Sequence, residues 1–487
     1  MRILSIIKFF TLCLLLELAV MPGILFASAN GGAHHDPIAP VILVVTGVLV
    51  FALIGRFIAR RFGQPAVLGE LLIGVAVGNF AYFYGYDFII ILRESTALFD
   101  IVDQTLSGTS LETAAFNVLD EDKARTLITV FESPYRVIFL QITNTIDIFS
   151  RYGVIFLLFL VGFETSTEEM RKVGGGSIRV AVVGVVLPFI LGLSIIHFLM
   201  PDMSLNVGLF IAATLGATSI GITARVMHDL HSSNTKEAHI ILGAAVMDDI
   251  LGLIILSIVS GIVVAGRLEL FDVFSNITMA ILFLGGAIFI GPHLLRSIIY
   301  LVRHLDLVEA KMFISHTFMM VLAWMANLVG LAAIIGAFTA GLILHDAYFH
   351  RWGHYKDHQY SIKDLIMPLE VILVPIFFVL MGVQVKLETF FDFRVVTLAV
   401  GLLVAAIVGK VISGVVAGKG INRWAVGVGM MPRGEVGLIY ASIGKTLGVV
   451  SDSLFSAIVL MVIITTLITP PFLKLALERK RETESSD

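Results

Sequence analysis

The sequence predicts an all-α polytopic membrane protein with about thirteen transmembrane helices. Two observations lead there. Of 487 residues, 57% are hydrophobic and only 14% charged, with a mean hydropathy of +0.96; a soluble domain carries about 45–50% apolar and about 25% charged residues. The apolar residues are also gathered into runs near the roughly 20 residues that a helix needs to cross a bilayer. The net charge of −4 leaves no basic footprint for nucleic acid.

The chain opens on MRILSIIK, then the apolar FFTLCLLLELAVMPGILF, then Ala27-Ser28-Ala29. A positive start, an apolar stretch and small residues form the pattern of a secretory signal. Residues 1–29 are therefore expected to be removed, with Glu17 an exception inside the apolar run. Cys13, the single cysteine, falls in this segment, so no disulfide is expected in the mature chain. Spans follow near 38–58, 65–84, 148–164, 179–200, 205–228, 236–265, 271–295, 309–331, 332–346, 364–386, 394–418, 424–444 and 452–474.

Positive residues set the orientation. Arg56, Arg60 and Arg61 follow the first span, and Arg171, Lys172 and Arg179 follow the third. Arg296, Arg303 and Lys311 follow the seventh, and Arg351, Lys356 and Lys363 the ninth. Lys419 and Arg423 follow the eleventh, with Arg479, Lys480 and Arg481 at the end. With alternating spans these all share one side, which is expected to be cytoplasmic in a cell membrane of the bacterial inner-membrane type. The mature N-terminus is then outside, and the tail 475–487 inside. The segment 85–147 falls outside; it holds ten acidic and four basic residues and reads as a solvated spacer.

Within GAAVMDDILGLI (243–254) two aspartates, Asp248 and Asp249, stand in an otherwise apolar stretch. An ionisable group at the bilayer centre costs about 2.5–3.5 kcal/mol on insertion scales, and persists where it pairs or faces a cavity. The pair lies about a dozen residues into the sixth span, or roughly 18 Å deep at about 1.5 Å per residue. Adjacent helical residues point about 100° apart, so one carboxylate can line a cavity while the other meets a partner. Lys410, inside the eleventh span, is the available counter-charge. It lies roughly 12 Å from the cytoplasmic edge, beyond comfortable snorkelling.

Two other spans carry helix breakers at mid-depth. ATLGATSIGITARV (213–226) has Gly216 and Gly221 flanking Thr218 and Ser219. VGMMPRGEVGLIYA (428–441) has Pro432 and Gly434 around Arg433, then Glu435. Broken helices in corresponding halves mark the binding site of transporters built from inverted repeats. These two lie seven spans apart. The odd offset gives the repeats opposite orientation, and also pairs the fourth span with the eleventh and the sixth with the thirteenth.

Together AAVMDDILGL, ATSIGITARV, the Gly-Lys at 409–410 and PRGEVGLI resemble the monovalent cation:proton antiporter superfamily. They are most similar to its electrogenic branch, which carries paired aspartates. QPAVLGELLIGVAVG (64–78) and VPIFFVLMGVQV (374–385) are similar to it as well, so the resemblance runs from about residue 40 to the end. The insertion 85–147 is longer than the family pattern. The Kef-type nucleotide-binding domain is not expected, since neither GxGxxG after a strand nor GxxxxGK[ST] occurs; no nucleotide or other cofactor is expected.

The resemblance implies the sodium/proton antiporter fold: inverted repeats with two crossed discontinuous helices, a mobile six-helix core (about 179–265 and 394–474) and a scaffold that forms a homodimer. It implies that Asp249 carries the cation or proton and that Asp248 pairs with Lys410. It places Thr218 and Ser219 as oxygen ligands, and Arg433 and Glu435 as charge-balancing residues. Na⁺ is the first expectation and K⁺ the second.

A Na⁺-coupled organic-anion symporter also uses crossed broken helices, but has no need of an ion-paired Asp-Asp and Lys set. A channel would call for repeated filter loops. An enzyme would call for a nucleophile with a base or an HExxH-type metal set, and neither is present. Glu70 in the second span reads as a possible accessory site, and Glu164 as interfacial. His345, His350, His354 and His358 read as a solvated loop, and His34 and His35 as a flexible start.

Overall fold

The computed structural model describes residues 38–484 except 95–100, 103, 106, 120, 133–135, 165–173, 220–222, 224–226, 228–231, 233–234, 266–269, 303–305 and 350–359. The expected signal segment, His34 and His35, and His350, His354 and His358 lie outside the described residues. Every regular element among the described residues is helical. In chain order these are α1 (Ile38–Arg61), α2 (Ala66–Phe83), α3 (Asp87–Arg93), α4 (Leu111–Val118), α5 (Glu121–Glu132), α6 (Arg136–Glu164), α7 (Gly175–Leu199), α8 (Leu205–Thr214) and α9 (Lys236–Ala265). Then come α10 (Leu270–Leu301), α11 (Leu307–Leu328), α12 (Ala333–Ile343), α13 (Ile362–Val383), α14 (Phe393–Ser413), α15 (Arg423–Gly429), α16 (Glu435–Thr446) and α17 (Asp452–Glu484).

Ten helices among the described residues are long and apolar enough to cross a membrane, against about thirteen expected. The difference falls on the fifth, ninth and twelfth expected spans. The fifth and twelfth are interrupted by the glycines and proline already noted. The ninth is short because α12 starts only after a glycine turn and ends at Ile343. Gly330 takes φ +78°, the left-handed conformation that glycine tolerates. Its N–H donates to the Asn327 carbonyl at 3.1 Å while Leu331 N–H reaches Ala326 at 2.9 Å. This pair of bonds closes a helix C-terminus in the Schellman manner, and only eleven residues of α12 follow. Helix α6 begins at Arg136 rather than 148, and α17 runs past 474 into the charged tail.

The chain forms two compact units, Met1–Gly153 with Ile372–Leu387, and Val154–Val371 with Glu388–Asp487. In the first, the insertion is more than a solvated spacer. Ala114, Ala115, Ala124 and Leu127 are fully buried, and Ser110 caps α4 by accepting from Thr113 N–H at 3.2 Å. Glu94, just after α3, pairs with Lys386, and both are largely buried. Asn79 donates to the Val385 carbonyl at 2.9 Å and accepts from Leu387 N–H at 3.1 Å. Arg93 covers the Tyr82 ring at 4.1 Å. These bonds hold the start of the insertion to the end of α2 and to the segment 385–387.

Glu70 also lies in this unit. Its buried carboxylate accepts from Arg56, with Nη2 at 2.6 Å, while Arg56 keeps 24% of its side chain exposed. The exposure makes the pair asymmetric. Arg56→Met strands a fully buried carboxylate, and is expected to cost about 3 kcal/mol, the lower end for breaking a buried pair. Glu70→Gln leaves an arginine that can reach water, and is expected to cost about 1 kcal/mol or less. Melting of the two variants in detergent measures the order; equal losses would contradict it.

The second unit holds the whole set 179–265 and 394–474, and also 270–371. Its site-bearing part is two sets of three, each a long helix, a broken helix and a long helix: α7, α8 with its break, α9; and α14, α15 with α16, α17. Close approach follows from small residues. Ala181, Ala244, Ala245, Ala425 and Ala417 sit in one buried cluster with Val180, Ile241 and Val426, the composition that lets membrane helices pack backbone to backbone. At the α6 C-terminus Glu164 is exposed and bonded to Lys363 at 2.5 Å. His345 stacks on Tyr348.

Candidate functional site

Asp248 and Asp249 sit mid-way along α9. Asp248 is fully buried and Asp249 is 4% exposed. From α14, the Lys410 Nζ donates to Asp248 Oδ1 at 2.6 Å, with both side chains fully buried. A charge-assisted bond this short is among the stronger polar contacts available. Asp248 Oδ2 has no hydrogen-bond partner among the described residues. The backbone of Lys410 is steadied in turn, its carbonyl accepting from Ser413 Oγ at 2.7 Å.

The two breaks cross next to each other. After α8 the chain turns at Leu215–Gly216 and runs non-helical through Ala217–Ser219; between α15 and α16 it is non-helical over Met430–Gly434. Neither stretch can satisfy its backbone internally, and in an apolar interior an unpaired peptide group is costly. Each satisfies the other. Ser219 N–H donates to the Pro432 carbonyl at 2.9 Å, and Thr218 Oγ1 to the Met430 carbonyl at 3.2 Å. Thr223 Oγ1 reaches the Gly429 carbonyl at 2.6 Å. These bonds join 218–223 to 429–432 directly.

Arg433 closes this crossing. It is fully buried, and its Nη1 donates to the Gly216 carbonyl at 3.1 Å and to the Ala217 carbonyl. Its own carbonyl accepts from Thr466 Oγ1 at 2.5 Å, and its N–H donates to Thr465 Oγ1 at 3.4 Å, both from α17. Glu435 begins α16, and its side chain lies outside what is described. The structure thus brings Asp248, Asp249, Lys410 and Arg433 into one electrostatic neighbourhood, in which Lys410 feels both aspartates and Arg433. Two buried acidic residues thus share this neighbourhood with two buried basic ones. Thr218 and Ser219 are buried beside the crossing, and the Thr218 O–H donates to the Met430 carbonyl while its lone pairs remain.

The family model described as sodium/hydrogen exchanger, transmembrane, matches residues 48–479. The chain belongs to the sodium/hydrogen exchanger family. It is 34% identical over 465 residues to the high-affinity Na(+)/H(+) antiporter NhaS3 of Synechocystis, covering 92% of this chain and 94% of that one. It is 33% identical over 337 residues to the Na(+)/H(+)-K(+) antiporter GerN of Bacillus cereus, covering 67% of this chain and 81% of that one. Among solved structures, the sodium proton antiporter MjNhaP1 from Methanocaldococcus jannaschii superposes with a TM-score of 0.58 at 16% identity, over 91% of this chain and 99% of that one. That last likeness shows the fold.

In this exchanger several residues around the site escape a reading of the sequence. Thr465 and Thr466 look like ordinary polar interruptions in the last span, yet both serve the Arg433 backbone. The signal for them was two adjacent hydroxyls inside an apolar run, the same kind of signal as the aspartates but weaker. Thr223 is a third hydroxyl spent on the opposite break. Tyr440, fully buried on α16, carried no signal among ten tyrosines.

Proposed function

We propose that this exchanger is a secondary active antiporter that moves a monovalent cation, Na⁺ first, against H⁺, by alternating access of a carboxylate site. The observation that carries the reading is the buried Asp248–Lys410 pair with Asp249 beside it, next to the crossed breaks. A bare carboxylate crosses a bilayer only at high cost. Asp249 therefore moves neutralised, by a proton or by a cation, and because the two exclude each other, each is driven by the other's gradient. Oxygens near the breaks complete the cation's shell, as hard ions require, with Thr218 and Ser219 the nearest candidates by sequence.

Lys410 makes the exchange electrogenic. When a cation draws Asp248 away, the buried ammonium loses its partner and releases its proton. The cation-loaded site then holds two carboxylates, one cation, neutral Lys410 and Arg433. The proton-loaded site holds protonated Asp249, Asp248, charged Lys410 and Arg433, one positive charge more. Net charge crosses in each cycle. The set 179–265 and 394–474 is the mobile part, the cytoplasmic side is that of Lys419 and Arg423, and the working form is a homodimer in a cell membrane.

The reading is tested in proteoliposomes with a fluorescent pH probe. An imposed proton gradient should collapse on adding Na⁺ with the native chain, and Asp249→Asn should reduce the response at least tenfold, to background. Should Asp249→Asn respond like the native chain, the carboxylate assignment is lost. A second cation, K⁺, has a specific observation behind it, the likeness to a relative named a Na(+)/H(+)-K(+) antiporter. A response to K⁺ exceeding that to Na⁺ would select it.

A further inference from the structure

Helix α9 carries a glycine one turn beyond its aspartates. Gly252 lies three residues after Asp249 and four after Asp248, and side chains at those spacings stand about 5–6 Å apart between Cβ atoms. A group at the 252 side-chain position would therefore look onto both carboxylates. What occupies that position comes from another helix. The hydroxyl of Tyr440, on α16, lies 2.8 Å from where a Cβ of residue 252 would be. Gly252 is the notch that admits it.

Tyr440 is fully buried, and its hydroxyl makes no hydrogen bond among the described residues. A buried phenol ordinarily finds a partner, and an unsatisfied buried polar group in a native fold calls for an explanation. Packing supplies none, since phenylalanine would fill the same space without the desolvated oxygen.

We propose that the Tyr440 hydroxyl is a further oxygen of the cation site and sets how that site ranks Na⁺ against K⁺. The assignment rests on the exchange reading above. A phenol oxygen is a hard ligand that adds no charge, so the charge of the site is kept. Its O–H can donate to a carboxylate when no cation is bound, then rotate to turn a lone pair to an arriving ion; a carboxylate, which only accepts, cannot do the first. A ring held by burial fixes where the oxygen stands, and ligand number and cavity size are what separate ions of like charge.

Tyr440→Phe removes the oxygen and keeps the ring. In proteoliposomes, with NaCl or KCl added to a preset proton gradient, the KM for Na⁺ is expected to rise about tenfold, the scale of a lost bond to a charged group. The maximal rate should stay within about twofold and the Na⁺-to-K⁺ preference should shift at least about threefold. Gly252→Ala keeps the hydroxyl but drives it from its seat, so it should move KM and preference the same way; it decides the matter if Tyr440→Phe does not fold. Native KM and preference in the variant that folds would overturn the assignment. So would a fall in maximal rate at unchanged KM, which marks packing alone. No cation response from the native chain would overturn the exchange reading and this assignment with it, whereas a native response with an indifferent Tyr440→Phe would overturn this assignment alone.

Discussion

Asp248→Asn is expected to destabilise the exchanger by about 3–5 kcal/mol, and adding Lys410→Met to recover most of that loss. The scale is that of breaking one side of a buried ion pair. Lys410 and Asp248 are both fully buried at 2.6 Å, so with an amide in place of the carboxylate the ammonium must either stay unpaired far from water or give up its proton, and both cost stability. Arg433, a second buried cation in the same field, makes the stranding worse, and Asp249 offsets it only in part. Methionine is unbranched and fills the channel of a lysine stem without a charge, and replacing both members of a buried pair is often near neutral. Melting of native, both single variants and the double in detergent completes a double-mutant cycle. Additive losses would show that the pair does not couple. The double variant also separates stability from function. It keeps Asp249 and should still exchange, but without a proton on residue 410 its rate should no longer respond to an imposed membrane potential. An unchanged voltage response would remove Lys410 from the charge-carrying step.

How far this could be read beforehand follows from the kind of signal each residue gives. Composition and run length expose long apolar helices, because hydrocarbon imposes one length and one polarity on all of them. They fail where a membrane segment is not a continuous helix. The fifth and twelfth expected spans have ordinary hydropathy, yet α8, α15 and α16 are short and separated by non-helical chain. The ninth is bounded in front by a glycine turn whose geometry leaves only a Gly-Leu dipeptide as its trace. The insertion misled in the opposite sense. Its charge suggested a solvated segment, while its alanines and leucines are buried and Glu94 meets Lys386, a residue that looks in sequence like the polar end of a span.

The site shows the same division. An aspartate or lysine in an apolar run stands out because its burial is expensive, so Asp248, Asp249, Lys410 and Arg433 could be picked out and a partner for Lys410 argued from cost alone. Which aspartate meets the lysine came only from the family resemblance, since adjacent residues on a helix offer two directions. Groups that bond to backbone leave no such trace. Nothing in the sequence tells a threonine that returns its hydroxyl to its own helix, as Thr339 does to Ile335, from Thr223 or Thr466, which bond across to another element. Tyr440 depends on a glycine from a helix nearly two hundred positions away.

Arg433→Met is expected to cost about 4 kcal/mol and to loosen both broken segments together. The guanidinium is the donor for the Gly216 and Ala217 carbonyls, which the break in the helix after α8 leaves without helical partners. Each carbonyl left unsatisfied in a buried site costs about 1–3 kcal/mol, and the variant strands two while removing one of the two cations that balance the aspartates. Arg433→Lys distinguishes these causes. It keeps the charge but offers a compact ammonium in place of a planar fork, so if stitching dominates it should recover less than half of the lost stability; if only charge matters it should melt like the native chain. Hydrogen exchange gives the local readout. In Arg433→Met, protection should fall at Ser219, whose N–H is held by the Pro432 carbonyl, and along 430–434, while the amides of α1 and α2 stay as they were. Native protection at Ser219 in Arg433→Met would mean that the crossing holds without the arginine, through the threonines alone.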